Sequence, residues 1–146
     1  MPYFVARGVI RPAAAMVGIS TRPTVDTRKK IVPHDCLPET GGAISFAKGW
    51  FDVLTADLCS LLDQAAAHGG RLAVLVYEDE PGHPSPLGAY DRARMAAALR
   101  SVDLVCTCPR ADADAIASRA GAPTPRDLDA PGTRDVVRQV IETLSD

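Results

Sequence analysis

The chain has 146 residues, 47% of them apolar and only 5% aromatic, and 16 basic against 18 acidic side chains leave a net charge of -2. That is the length of one domain with a real core of Ala, Val, Leu and Ile, a composition that suits helices packed on a parallel sheet. It argues against a nucleic-acid surface, and no apolar stretch approaches the ~20 residues that span a bilayer.

Residues 1–42 resist a regular reading. Pro2, Pro12, Pro23, Pro33 and Pro38 leave little room for a long helix. Residues 13–19 could form one or two helical turns, and residues 30–32 a short strand or an extended arm. The region is predicted to be an N-terminal extension, packed on a domain spanning 43–146 or on a partner subunit. Arg7 and Arg11 interrupt its apolar pieces, and basic, apolar and small segments do not follow secretory order, so a cytoplasmic location is expected. The run Arg28-Lys29-Lys30 reads as a solvated loop rather than a phosphate site.

From residue 43 the pattern becomes regular. Residues 44–47 form a candidate first strand, followed by a glycine turn. Thr55 or Asp57 supplies a cap, because a short side-chain oxygen accepts from the free N–H groups of a first turn. The helix then runs to about His68, with Leu58, Leu61, Leu62 and Ala65 at amphipathic spacing, and His68-Gly69-Gly70 ends it.

Residues 71–77, RLAVLVY, are an almost unbroken apolar run, the pattern of a parallel strand buried on both faces. Strand, helix and strand make a βαβ unit, expected to be right-handed. Residues 78–86 are a loop with three prolines. A second helix is predicted over 89–101 with Met95, Ala98 and Leu99 inward, a third strand over 102–107, and a third helix over 111–120, stopped by Gly121. After a proline-rich loop over 123–132, a closing helix over 134–144 is expected to bury Val136, Val137, Val140, Ile141 and Leu144. The alternation predicts an open, doubly wound, mostly parallel α/β fold of Rossmann-like type. In such sheets ligands bind beyond the carboxyl ends of the strands, here 48–52, 77–80 and 107–110.

Cys36, Cys59, Cys106 and Cys108 do not make a disulfide or zinc framework. Cys106 and Cys108 form a C-x-C pair whose side chains point the same way in an extended segment. They read as two small, half-buried thiols, with a metal or redox pair as the alternative.

The segment 49–58, GWFDVLTADL, resembles the GxFDxLHxGH signature of the cytidylyltransferase-like nucleotidyltransferases. Gly49, Phe51, Asp52 and Leu54 match it; Thr55 and Leu58 stand in place of the two histidines, and Asp57 in place of the second glycine. Further along, RLAVLVYEDE is similar to the family's second strand with its acidic end. Arg92, Met95 and Asp103 match its R-x-x-M-L-x-A-L-x-x-V-D element. PGTRDVV over 131–137 is a fainter echo of I-S-T-S-x-I-I, in which Thr133 survives. The likeness covers roughly residues 44–122.

This resemblance implies the Rossmann-like nucleotidyltransferase fold. It also implies attack of a phosphate or hydroxyl on the α-phosphorus of CTP or ATP, with pyrophosphate leaving and Mg²⁺ assisting if the site is active. Charge grows on oxygen in that transition state, and preorganised donors lower the barrier; in the family the two histidines and a lysine or arginine supply them. Here Lys48 and Thr55 are the remaining catalytic candidates. Gly49, Trp50, Phe51, Asp52, Asp57, Arg92 and Thr133 are the nucleotide-binding candidates, and no residue is assigned to a metal. Asp57 would repel a triphosphate.

Each of these residues also has a plainer reading. Asp52 would fix the turn through backbone hydrogen bonds, Trp50 would be a core or interface residue, and Arg92 would pair with Glu78 or Asp79. His34 and His83 would be surface residues, unless either folds back over the site.

Three functions are therefore expected in order. The first is a degenerate nucleotidyltransferase, a pseudoenzyme that keeps a nucleotide-binding fold with weak or no transfer. The second is an active enzyme with a remodelled site, acting on a small phosphorylated alcohol or sugar. The third is a non-catalytic partner-binding module. The partners implied are a nucleotide and a second copy or an active paralogue, with no nucleic acid and no membrane.

Overall fold

The computed structural model describes residues 25–37, 44–67, 70–122, 124–129 and 142–144. Within them the chain alternates strand and helix: β1 (Ile44–Gly49), α1 (Ala56–Ala66), β2 (Arg71–Tyr77), α2 (Ala89–Ala97), β3 (Leu104–Cys108), α3 (Ala113–Arg119) and β4 (Arg126–Asp127). The four strands form one parallel sheet in the order β3-β2-β1-β4. The chain thus steps outward from β1 to β3, then returns to the other side of β1. The reversal between β1 and β4 is the topological switch point of a doubly wound, Rossmann-like sheet.

Strand β2 shows why the sheet holds. Leu72 to Tyr77 are all buried. Because side chains alternate across a strand, Leu72, Val74 and Val76 pack with Leu58 and Leu62 of α1 and Ala93, Ala96 and Ala97 of α2. Ala73, Leu75 and Tyr77 pack with Ile116 and Ala117 of α3 and with Phe46 and Cys106. Helices α1 and α2 therefore cover one face, and α3 covers the other. Asp103 fastens the entry to β3: its Oδ2 accepts from Leu72 N at 2.8 Å, and its own N–H donates to Leu72 O at 2.9 Å.

Helix α1 is capped by Thr55, whose Oγ1 accepts from Leu58 N at 3.1 Å. Helix α2 begins after Gly88, which offers no side-chain cap; Asp79, ten residues upstream, accepts from Ala89 N at 3.2 Å instead. Its inner face is Arg92, Ala93, Ala96 and Ala97. Ala98, expected inward, is exposed, and the helix ends at Ala97 rather than 101. Strand β3 spans Leu104–Cys108 rather than 102–107, since Val102 N closes a turn on Leu99 O. The third helix is preceded by a 3-10 turn over Arg110–Asp112.

Residues 25–37 pack along the β3 edge. A 3-10 turn, Thr27–Lys30, lies against α2, and Lys30 Nζ donates to Leu99 O at 3.0 Å. Ile31 then bridges Val105 in parallel. The helical turns expected over 13–19 and Val136, Val137, Val140 and Ile141 lie outside the described residues. Glu142 to Leu144 are helical, but Leu144 is exposed rather than buried. Among the described residues no helix is long and apolar enough to cross a membrane.

Candidate functional site

The carboxyl edge of the sheet is built around the turn Gly49-Trp50-Phe51-Asp52. Gly49 lies under the returning β4 segment: a Cβ there would stand 3.3 Å from Asp129 Oδ1. The same oxygen accepts from Trp50 N at 3.3 Å, and Leu128 N donates to Lys48 O at 3.0 Å. Phe51 then adopts a left-handed backbone, φ 57°, a conformation that is a true outlier for a bulky residue. Such strain persists only where surrounding contacts over-determine it, and it clusters at functional positions. Here Phe51 is anchored in the α1/α2 face of the core.

That backbone leaves Trp50 on the α3 face and Asp52 buried at the turn. The indole is 3% exposed and stacks on the His83 ring, with centroids 3.6 Å apart and planes 4° from parallel. The Tyr77 ring stands against it edge-on at 5.1 Å. Trp50 Nε1 is the only buried side-chain polar atom among the described residues with no hydrogen-bond partner. Leaving such a donor unpaired costs on the order of 1–3 kcal/mol.

Asp52 is held by side chains. His83 Nε2 lies 2.8 Å from Oδ2, the Ser85 hydroxyl donates to Oδ1, and Arg92 Nε is 3.9 Å from Oδ1. The backbone hydrogen bonds expected for Asp52 give way to side-chain ones: a loop that returns from β2 supplies its partners. His83, expected as a surface residue, is the one that folds back, with only 17% of its side chain exposed. His34 lies elsewhere, its Nδ1 3.4 Å from Arg119.

Arg92 is wholly buried, which a guanidinium tolerates only when its donors are met. Nη1 donates to Trp50 O at 2.6 Å and Tyr77 O at 3.0 Å, Nε to Leu87 O at 3.0 Å, and Nη2 to Asp79 Oδ1 at 2.5 Å. One side chain thus ties together the ends of β1 and β2 and the loop between β2 and α2. The hydrogen bond to Ala89 N, and then the one from Arg92, hold the Asp79 carboxyl below its ordinary range.

Lys48 and Thr55 are not brought together. Lys48 lies in line with Ile44 and Phe46 on the α3 face, and its Nζ pairs with Asp114 Oδ1 at 2.7 Å. Thr55 caps α1, which packs on the opposite face. Asp57 is exposed in the first turn of α1. Thr133 lies outside the described residues. Ser85 and Asp129 carry no motif or periodic signal, which is why sequence reasoning missed them.

The rest of the edge is polar. Arg110 lies 6.0 Å over the Tyr77 ring. Burial first, then the carboxylates of Asp127 and Asp129, push the Tyr77 phenol well above its ordinary range. Burial pushes the Cys106 and Cys108 thiols up to about 12 and about 11, so the C-x-C pair is inert core rather than thiolate. Among the described residues no group of three or more His, Cys, Asp or Glu is arranged to hold a metal ion. No model of a known protein family matches the chain, and no curated protein matches it.

Proposed function

We propose that this chain is a cytidylyltransferase-like protein that binds a nucleotide, CTP or ATP, beyond the carboxyl ends of β1 and β4, with weak or no nucleotidyl transfer. The fold supports the binding half: the strand order reverses beside Gly49, where doubly wound sheets take their ligands. One observation carries the second half, namely that the two cationic side chains at the turn are already engaged, while Thr55 serves as a helix cap. Lys48 is paired with Asp114, Arg92 is enclosed by carbonyls and Asp79, and Thr55 Oγ1 accepts from the α1 backbone.

Nucleotidyl transfer needs preorganised donors on the α-phosphorus oxygens, and removing one typically costs ~10²–10³ in rate. Leu58 offers no donor, and Asp57 adds a negative charge in the first turn of α1. If Mg²⁺ takes part, it would arrive with the nucleotide's phosphates and keep several waters. The protein fits a cytoplasmic setting, with all four cysteines free, and a second copy or an active paralogue is its proposed partner.

Thermal shift with CTP, ATP and Mg²⁺ tests the reading. A nucleotide at 100 times its Kd should stabilise the fold by roughly 2.7 kcal/mol. Pyrophosphate release with phosphorylated alcohols should stay near background. No shift with either nucleotide sinks the binding half and favours a partner-binding module; steady turnover sinks the other half and favours the remodelled enzyme.

A further inference from the structure

His83 comes from a loop that the nucleotidyltransferase signature does not include, yet its side chain is held on two sides at the carboxyl edge. Its ring lies flat on Trp50 at 3.6 Å, and Nε2 is fixed 2.8 Å from Asp52 Oδ2. Its backbone N–H donates to Glu80 O at 3.3 Å. Asp52 already accepts from Ser85 on its other oxygen.

A carboxylate only accepts, so the hydrogen-bond pattern requires the proton on Nε2. The neutral ring then has its lone pair on Nδ1. That atom has no hydrogen-bond partner among the described residues and is not among the buried unpaired atoms, so it opens to solvent. A proton arriving from solvent adds at Nδ1, making an imidazolium anchored at one end and presenting a charged N–H at the other.

We propose that His83 is the phosphate-reading group of this site. Held by Asp52 and Trp50, its Nδ1–H donates to a phosphate oxygen of the bound nucleotide when the ring is protonated. This rests on the nucleotide reading above and gives it a cationic contact that neither Lys48 nor Arg92 is free to supply. The contact is for binding: one imidazolium from the β2–α2 loop does not restore the pair of donors missing from α1.

Charged and titratable groups face the ring from several elements. Asp52 lies against Nε2, and Arg92 of α2 offsets it from 3.9 Å. Asp79 is bound to Arg92, Glu80 lies in the same loop as His83, and Tyr77 of β2 reaches the pair only through Trp50. The groups around the ring are three carboxylates and one guanidinium, with Asp129 on Trp50 N a further carboxylate, so a cationic ring is the group here that can meet an anion.

Calorimetric titration of the full chain with CTP across the pH range in which imidazoles titrate, for wild type and His83→Gln, tests this. Glutamine keeps a donor for Asp52 but carries no charge. The nucleotide's own phosphate titrates in the same range, so the readout is the difference between the two proteins.

At the acid end wild type should bind CTP about tenfold tighter than the variant, as a charge-assisted contact predicts, and the gap should close as pH rises. Equal affinities at every pH overturn the assignment while leaving the nucleotide reading intact. If wild type binds neither CTP nor ATP, both fall.

A second measurement needs no variant. The emission of Trp50, the only tryptophan, should be quenched as the stacked ring protonates, with a midpoint that CTP moves to higher pH. A midpoint that CTP leaves unchanged overturns the assignment.

Discussion

Strand β2 and the turn that follows β1 lie one strand apart and are built on opposite terms. From Leu72 to Val76 every residue of β2 is apolar and wholly buried, and each side chain finds a helix on its own face. Across the edge, three consecutive residues break the rules of a core. Trp50 buries an unpaired N–H, Phe51 carries a left-handed backbone, and Asp52 buries a carboxylate. The β2 strand is held by apolar packing on both faces and by pairing on both edges. The turn is stable because Arg92, His83, Ser85 and Asp129 reach it from three other segments. Strain held in this way clusters at functional positions, and it is the reason the proposed site is placed at the turn.

Breaking the polar clamp should do the most damage. Arg92→Ala removes the donor from the Trp50 and Tyr77 carbonyls and the partner of Asp79, and urea unfolding should record a loss of about 3–5 kcal/mol. Leu72→Ala, a pure cavity in β2, should cost about 2–5 kcal/mol in the same assay and leave any CTP binding by the folded protein unchanged. If the Leu72 cavity proves far costlier than loss of Arg92, the turn is less dependent on its clamp than the contrast holds.

Smaller changes sharpen the contrast. Thr55→Ala should cost about 1 kcal/mol through loss of the α1 cap, and Thr55→Asn should recover most of it. Recovery by Asn would identify Thr55 as a cap in the folded chain. Trp50→Phe should change stability by less than the cap does, since lost burial is set against removal of an unpaired donor worth on the order of 1–3 kcal/mol. A loss as large as that of Leu72→Ala would mean that the indole N–H has a partner after all. The last effect carries no stability change. At about pH 8 a thiol reagent should label Cys36 fast and Cys59 more slowly, while Cys106 and Cys108 react only on unfolding, because their pKa values are raised and their side chains buried.

Much of the scaffold was legible in the chain. RLAVLVY is unambiguous because a strand buried on both faces has no polar side to show, and the apolar spacing of Leu58, Leu62 and Ala65 defines α1. The inner face of α2 was not legible, because in Met95-Ala96-Ala97-Ala98 three identical side chains give no amphipathic contrast. Strand β4 was not legible either: two residues, Arg126 and Asp127, paired inside a proline-rich loop have no period to detect.

At the site, the turn residues and the Arg92–Asp79 pair were found from the sequence, but the loop residues that hold Asp52 were not assigned to it. Asp52 and His83 are 31 residues apart and meet only through the return of an irregular loop. Asp79 caps α2 from ten residues upstream, outside the reach of any local capping rule. Contacts of this kind depend on how the loop closes over the strand ends, and that closure leaves no trace in composition.

The central claim is that the turn over 50–52 is a nucleotide site, and the indole of Trp50 reports on it directly. With ¹⁵N-labelled protein, the single indole Nε1–H resonance should shift progressively and saturably as CTP or ATP is added. It should do so together with resonances of the loop that carries His83 and Ser85. An indole resonance that stays in place, whether because neither nucleotide binds or because one binds elsewhere on the protein, contradicts the account.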